Sequence, residues 1–299
     1  MEMFNKKVLD ERLGPLRKNG LDHLEEIEGY VIRKCQENDI ETSYDVMADE
    51  MPYFKTMGYT SYATSFILQP LNLKIRRQQM VDAYNDNPKD KYNWCRYLKD
   101  NVLNKNANKY KNRNEKLSKY KNKDYLVVLP GSNKIKSHVC LGKLIKISKD
   151  HKNNIWFKPH PITKHVIIGE IKDHFGEEAI LHRDDDLYYF LKKAKKVYST
   201  HISESAIYAA VLGKQIEPVD VWNKHHQGSF HHINDGLYDN RHNVEQWINK
   251  VFSSPKSGVI NPHVDKDWKK KVDAYFDYIL VQRNNYKDWY IDHAKHDKK

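Results

Sequence analysis

Lysine and histidine side chains follow a short apolar run in the second half of the chain. The run Ile-Trp-Phe at 155–157 leads directly into Lys158, Pro159, His160 and Pro161. A strand that only ends in a turn requires neither a cation nor an imidazole, and the prolines restrict the backbone on both sides of His160. Lys158 and His160 in this pattern indicate contact with an anion such as phosphate.

Small residues follow an earlier apolar run. Gly131 and Ser132 come shortly after the run 125–129. A turn of small residues lets backbone amides approach a ligand closely. On its own this signal is weak, because many strand-to-helix turns have the same composition.

Hydroxyl-bearing residues follow a third apolar run. Ser199, Thr200 and Ser203 precede a helical pattern, and the free N–H groups at the start of a helix favour phosphate. Thr200 or Ser203 alone is better explained as an ordinary helix cap. Together with the two preceding segments, however, these hydroxyls predict a cradle for a phosphate or diphosphate.

Strand-like and helix-like segments alternate after residue 123. The predicted strands are 125–129, 155–157, 179–181, 196–199 and 215–219, and the predicted helices are 137–149, 164–174, 186–194 and 203–212. Apolar strands that alternate with helices of about ten residues are typical of a parallel sheet covered on both faces. The sequence therefore predicts an α/β fold with a doubly wound, Rossmann-like domain over 124–222. Ligands bind such sheets beyond the carboxyl ends of the strands, which is where the three segments lie.

Motifs of several nucleotide-binding families do not occur in the sequence. There is no G-x-G-x-x-G and no G-x-x-x-x-G-K-[ST], which argues against dinucleotide oxidoreductases and P-loop NTPases. The histidine pairs at 225–226 and 231–232 lack the i, i+4 spacing of a helical metal motif. The sequence therefore predicts neither a metal site nor a resident cofactor.

The first 123 residues are predicted to be mostly helical. Helical periodicity covers 21–38 and 71–84, and a third helical segment begins near residue 90. The stretch 41–67 is polar and rich in Tyr, Thr and Ser, which predicts a loop region of the kind that carries substrate contacts. It contains Asp45 and Asp49. Two further helices are predicted at 243–252 and 266–285, and the chain is predicted to divide into domains 1–123 and 124–299.

A basic segment ends the first region. Residues 105–123 carry eight Lys or Arg side chains against one carboxylate, with Tyr110 and Tyr120 among them. A solvated helix or linker is the simpler interpretation. The alternative is a nucleic-acid surface on which Lys109, Lys111 and Arg113 contact phosphates while tyrosines stack on bases.

The overall charge points to the same classes of partner. The chain has 51 Lys and Arg against 40 Asp and Glu, a net charge of +11. This excess favours nucleic acid, an acidic membrane surface or a phosphorylated substrate, or else serves solubility. No apolar run approaches the roughly 18 residues that span a bilayer, and the N-terminus lacks a signal-peptide pattern. Three widely separated cysteines exclude a disulfide framework, so a cytoplasmic protein is expected.

Two of the segments also resemble a known family. WFKPHP at 156–161 and VYSTHISESAIYAAVLGKQIEPV at 197–219 resemble the nucleotide-sugar-binding half of GT-B glycosyltransferases, above all the capsule-polysaccharide and bacterial sialyltransferase types. The resemblance covers 124–220, about a third of the chain. It implies that His160 contacts the donor phosphate and that Ser199 and Thr200 bind phosphate or nucleotide.

One position departs from that family's pattern. Many of its members carry a ribose-binding Glu five residues before the glycine that follows the helix. That position is Tyr208 here, because the glycine is Gly213. Glu204 lies one helical turn earlier and is the candidate substitute.

The resemblance implies a glycosyltransferase that uses a nucleotide-sugar co-substrate, UDP- or CMP-linked. Lys158 and His160 would stabilise the leaving phosphate as the glycosidic bond breaks. Asp45 or Asp49 would deprotonate the acceptor hydroxyl in an inverting reaction.

The basic charge favours double-stranded DNA as the acceptor. The protein would then resemble phage enzymes that glycosylate hydroxymethylated pyrimidines, and such an enzyme flips its target base out of the stack. Two alternatives stay open: a bacterial surface or capsule polysaccharide glycosyltransferase, and a non-catalytic nucleic-acid-binding protein.

Overall fold

Two sheets of different kinds organise the chain. The computed structural model describes residues 24–38, 54–57, 64–68, 73–86, 88, 92–106, 117, 119–131, 135, 139–161, 163–220 and 230–296. In chain order, the helices are α1 (Leu24–Glu37), α2 (Leu73–Asn85), α3 (Trp94–Tyr97, continued by a π-helical segment Leu98–Leu103), α4 (Leu141–His151), α5 (His165–Phe175), α6 (Leu187–Lys193), α7 (Ser205–Val211), α8 (His231–Asp239), α9 (Val244–Ser253) and α10 (Trp268–His296). The strands are β1 (Phe54–Met57), β2 (Thr64–Leu68), β3 (Tyr125–Val128), β4 (Ile155–Lys158), β5 (Lys196–Ser199), β6 (Gln215–Pro218) and β7 (Val259–Ile260).

The described residues form two compact units. Unit 1 takes in those within 1–94 and 246–299, and unit 2 takes in those within 95–245. The sequence predicts domains 1–123 and 124–299, whereas the described residues of 95–123 belong to unit 2. The described residues from 246 onward belong to unit 1, because the closing helix α10 packs on α1.

Unit 2 contains a parallel sheet with the strand order β4-β3-β5-β6. A single parallel bridge between Phe157 and Ile180 adds a fifth position beyond β4. When the five positions are numbered by their order along the chain, they lie across the sheet in the order 3-2-1-4-5, which is the Rossmann arrangement. The order reverses between β3 and β5, so the ligand crevice of this fold class is expected at the carboxyl ends of those two strands. The predicted Rossmann-like sheet is confirmed at this level.

Apolar side chains hold this sheet between its helices. Val127 and Phe157 are fully buried from solvent and belong to one cluster with Leu144 of α4 and Ile171 of α5. Full burial of a side chain of this size stabilises a fold by roughly 1.5–3 kcal/mol. The continuous apolar runs in the sequence therefore correspond to strands covered on both faces.

Most predicted elements of unit 2 are confirmed to within a few residues, with two differences. The predicted strand 179–181 is reduced to the single bridge at Ile180, because Glu177–Ala179 forms a 3₁₀ turn directly before it. Helix α8 was not predicted at all, although seven of its nine residues are buried.

Unit 1 has a helical core and a small antiparallel sheet. Ile27 and Val31 of α1 pack in one buried cluster with Val272 and Tyr275 of α10. The sheet has the order β1-β2-β7 and is antiparallel throughout. The predicted loop over 41–67 is therefore wrong for β1 and for most of β2, and the mostly helical region also contains strands. Within the described residues, no helix is long and apolar enough to cross a membrane.

Candidate functional site

The carboxyl ends of β5 and β6 bring a histidine and a carboxylate together. Ser199 pairs with Pro218 in the parallel register, and Val219 N–H donates to Ser199 O at 2.9 Å. This alignment sets the residues that follow the two strands, His201 and Asp220, side by side. Both lie on the edge of the sheet where the strand order makes a ligand crevice expected.

Asp220 contacts His201 twice, once at the imidazole ring and once at the backbone. Its Oδ1 lies 2.7 Å from His201 Nδ1, and its Oδ2 accepts the His201 backbone N–H at 2.9 Å. The two side chains are only 10% and 3% exposed, so the pair is shielded from water. An ionised carboxylate can only accept hydrogen bonds, which places a proton on Nδ1 and leaves Nε2 of the neutral ring as an acceptor.

Helix α8 covers the other side of the ring. Asp235 Oδ1 lies 3.9 Å from His201 Nε2, which is near enough for charge interaction but too far for a hydrogen bond. The His231 ring stacks on His201 with centroids 5.1 Å apart, and Tyr238 packs edge-on at 4.9 Å. Burial raises the pKa of Tyr238 well above its ordinary value, so this phenol stays neutral.

Asn234 of α8 fixes the turn that carries His201. Its Nδ2 donates to His201 O at 2.7 Å and to Ser203 O at 2.8 Å. Tyr238 adds a third tie, because its hydroxyl donates to Ser199 O at 3.1 Å. The polar face of α8 therefore explains why this helix is buried without an apolar pattern in its sequence.

Two buried polar atoms, one on this turn and one on α8, have no hydrogen-bond partner among the described residues. Thr200 and Asn234 are 0% exposed, and within the part of the chain that the structure describes neither Thr200 Oγ1 nor Asn234 Oδ1 makes a hydrogen bond. Buried polar atoms in native proteins are nearly always satisfied by protein, water or ligand. The pair therefore marks a position where a bound molecule can supply the missing contacts.

The charges around His201 favour hydroxyl groups over phosphate. Among the described residues, its two charged neighbours are the carboxylates of Asp220 and Asp235. Carboxylates repel a phosphate in a low-dielectric setting, whereas they accept hydrogen bonds from hydroxyls. The chemistry at this point fits a sugar more closely than the phosphate that the sequence predicted for the same turn.

The two serines predicted to bind the donor, Ser199 and Ser203, both contact Ser205. Ser205 Oγ lies 2.7 Å from Ser199 Oγ and 2.7 Å from Ser203 Oγ. Glu204 accepts a hydrogen bond from the Tyr208 hydroxyl. The residue at the family's ribose-binding position and its candidate substitute are thus bonded to each other.

Lys158, at the end of β4, is turned towards backbone carbonyls. Its Nζ donates to Pro159 O at 2.9 Å and to Arg183 O at 2.7 Å, and the residue is 3% exposed. Burial lowers the Lys158 pKa to about 8, although nearby aspartates, led by Asp185, act in the opposite direction. His160 is half-buried two residues later, and its carbonyl accepts the Thr163 N–H at 2.8 Å.

The other predicted site residues are distributed as follows. Gly131 lies partly buried just beyond β3. Six predicted residues lie outside the described part of the chain: Asp45, Asp49, Lys109, Lys111, Arg113 and Ser132. Among the described residues, no group of three or more His, Cys, Asp or Glu is arranged to hold a metal ion.

Sequence reasoning gave no role to His201 or Asp220, although a signal for both was available. Each follows a predicted strand of the parallel sheet, and the rule that located Lys158 and Thr200 applies to them equally. Asp235 could not have been found in this way. It reaches His201 only because α8 packs beside the sheet.

Comparison with known protein families found none that matches this chain. Comparison with curated proteins likewise found no similar sequence. The functional interpretation therefore depends on the strand order and on the contacts at the strand ends.

Proposed function

We propose that the protein is a glycosyltransferase that takes its sugar from a nucleotide-sugar donor, UDP- or CMP-linked. One observation carries the proposal. The strand order of a Rossmann-like sheet reverses between β3 and β5, and at the end of β5 the buried Thr200 Oγ1 lacks a partner among the residues that the structure describes. Binding at this switch point is the general property of such sheets.

The contacts suggest how the donor lies in the site. The sugar is proposed at the end of β5, where carboxylates near His201 accept hydroxyl hydrogen bonds. The phosphates are proposed nearer the end of β3, where Gly131 permits close approach of backbone amides. The likeness to GT-B donor domains supports this assignment for unit 2 alone. The described strands of unit 1 pair antiparallel and do not form the second parallel sheet of a full GT-B fold.

For the acceptor we propose a hydroxymethylated base in double-stranded DNA, as in phage-type DNA modification. The support is the net charge of +11 and the basic segment 105–123. A hydroxyl on the base is needed, because unmodified cytosine and thymine offer no nucleophilic oxygen in the major groove. A bacterial surface glycan is the competing acceptor, and a protein that binds nucleic acid without catalysis is the competing class.

A panel of UDP-, CMP- and GDP-sugars tests the donor by thermal shift. Binding at 100 times Kd stabilises a protein by about 2.7 kcal/mol, which raises its melting temperature measurably. We expect one nucleotide class to stabilise the protein and the free sugars not to. If no member of the panel shifts the melting temperature or binds by calorimetry, the glycosyltransferase proposal fails and the non-catalytic class is favoured.

Salt dependence tests the acceptor. If half of the cations in 105–123 neutralise phosphates, the log–log slope of DNA affinity against salt is about -3 to -4. Replacing Lys109, Lys111 and Arg113 with Gln should flatten this slope while leaving donor affinity unchanged.

A matched control uses three cations that already pair with carboxylates. These are Lys146, Lys269 and Lys270, whose Nζ atoms lie 2.9–3.4 Å from Asp or Glu oxygens. Their replacement with Gln should change the slope far less. Salt-independent binding, or transfer to a lipid-linked glycan and not to hydroxymethylated DNA, would favour the surface-glycan alternative.

A further inference from the structure

We infer that His201 is the general base of the reaction, with Nε2 as the atom that takes the proton from the acceptor hydroxyl. The inference deepens the proposed function and depends on it for the identity of the acceptor. It differs from the expectation that Asp45 or Asp49 is the base, and the experiment below separates the two.

The first support is the way in which Asp220 prepares the ring. The Asp220 carboxylate binds both Nδ1 and the backbone N–H of His201, at 2.7 and 2.9 Å. The ring can neither rotate nor exchange its Nδ1 proton without breaking these contacts. Nε2 is therefore fixed as the proton-accepting atom, in the arrangement that histidine bases share across unrelated enzymes.

The second support is the negative charge of the two carboxylates that surround the ring. When Nε2 takes up a proton, the imidazolium lies between Asp220 and Asp235, the latter 3.9 Å from Nε2. Both carboxylates stabilise the positive ring, and the burial of all three side chains strengthens that interaction. Asp235 is too far from Nε2 to hold it in a hydrogen bond, so the atom stays open to a substrate hydroxyl.

The third support is the position of the pair in the fold. His201 follows β5 at the strand-order reversal, next to Thr200, whose buried hydroxyl lacks a partner within the described residues. Within the described part of the chain, the ring is faced by Asp220, Asp235, His231 and Tyr238.

The step balances as follows. The acceptor O–H proton moves to His201 Nε2, and the oxygen lone pair forms a bond to the anomeric carbon of the donor sugar. The bond between that carbon and the phosphate oxygen breaks, and the electron pair leaves with the nucleotide. The imidazolium then releases its proton to solvent. Asp220 does not touch the reacting atoms and is a positioning residue.

The experiment compares His201→Asn with His182→Asn. The Asn amide retains a donor at the place of Nδ1 for Asp220 but has no atom at the place of Nε2, so the fold is preserved. His182 is a matched control, because it also faces an aspartate but its side chain is 54% exposed. Removing a general base costs about 10²- to 10⁴-fold in rate. We expect that loss in kcat for His201→Asn, donor affinity within about threefold of wild type, and no change for His182→Asn.

Two readouts distinguish a base from a structural residue. Added imidazole should partly restore transfer by His201→Gly, and the acid limb of the pH–rate profile should shift in Asp220→Asn. Full transfer by His201→Asn together with a loss in Asp45→Asn or Asp49→Asn would overturn the inference while leaving the glycosyltransferase proposal in place.

A measurement without substrate tests the role of His201 even if the protein binds no nucleotide sugar. Nitrogen-15 NMR of the histidine rings at high pH reports which ring nitrogen of His201 carries the proton. We expect the Nδ1–H form. If wild type binds no nucleotide sugar, the proposed function fails while this measurement still decides the state of His201. An Nε2–H form would overturn the inference, since Nε2 would then have no lone pair to accept a proton.

Discussion

The ends of β4 and β5 look alike in sequence and differ in the structure. Each carries a basic side chain, Lys158 or His201, at the carboxyl edge of one parallel sheet. Lys158 Nζ points to two backbone carbonyls and joins the end of β4 to the turn at Arg183. His201 is held by a carboxylate on Nδ1 and keeps Nε2 open beside a second carboxylate. The contacts of Lys158 stabilise a turn, whereas those of His201 leave one ring nitrogen available for the proposed reaction.

This difference shows that the hydrogen-bond partners of a basic side chain, more than its residue type, decide whether it can interact with a substrate. Two of the three ammonium protons of Lys158 already meet backbone carbonyls, and the side chain is almost fully buried, which leaves little capacity for a substrate anion. A histidine with Nδ1 fixed by a carboxylate can instead accept the proton of a substrate hydroxyl at Nε2. The three experiments that follow test the contrast, from the largest expected effect to the smallest.

Asp220→Ala should destabilise the protein most. The change leaves the His201 backbone N–H and Nδ1–H buried without an acceptor, which is expected to cost about 3 kcal/mol in free energy of unfolding. Asp184→Ala is the control near the end of β4, because Asp184 also faces a histidine but its side chain is 35% exposed. Its cost should be below about 0.5 kcal/mol. Urea denaturation measures both, and equal losses would contradict the contrast.

Lys158→Met should change how stability depends on pH. Burial places the Lys158 pKa at about 8 in the folded chain, against an ordinary value of 10.5. Below pH 8 the ammonium is charged in both states and the burial cost is complete. As pH rises from 8 towards 10.5 the folded state releases its proton first, so wild type gains stability relative to Lys158→Met by about 2 kcal/mol at pH 10.

The control for this measurement is Lys149→Met, which alters an exposed lysine at the end of α4 and should give a flat difference. Donor affinity should be unchanged in Lys158→Met, because Nζ already contacts two carbonyls. The sequence predicts the opposite, a fall of ten- to a hundredfold, which is the loss of a charge-assisted bond worth about 1.5–3 kcal/mol. A fall of that size would show that Lys158 turns to the ligand.

Thr200→Val should have the smallest effect and the most selective one. Val has nearly the same shape, and the hydroxyl it removes has no protein partner among the described residues, so stability should not fall. Donor affinity should fall about three- to tenfold, the equivalent of one neutral hydrogen bond. Thr163→Val is the matched control after β4, since Thr163 is equally buried and its hydroxyl is equally unpartnered. Equal weakening by both variants would extend the site to the end of β4.

The parallel sheet could be predicted because β3, β4 and β5 each contain a short run of mostly apolar residues. The runs at 125–128, 155–158 and 196–199 are mostly buried, and their high content of apolar residues predicts that burial. The positions beyond the strand ends could be predicted from the same pattern. The sequence thus located the edge of the sheet where the site lies.

The contacts at that edge could not be predicted. Helix α8 could not be found from a hydrophobicity pattern, because its buried residues include the polar side chains of His231, Asn234 and Asp235. The direction of Lys158 Nζ depends on the carbonyl of Arg183, twenty-five residues away in the chain. Hydrogen bonds between residues so far apart in the chain cannot be read from a local sequence pattern.

Hydrogen exchange with the best donor of the panel tests the central claim most directly. The backbone amides at 129, 131 and 200–204 follow the two strands between which the order reverses. Bound donor should slow exchange in those two segments, with little change in the antiparallel strands of unit 1. Donor binding with protection confined to other segments, or the absence of binding by any nucleotide sugar, would contradict the assignment of this edge as the nucleotide-sugar site.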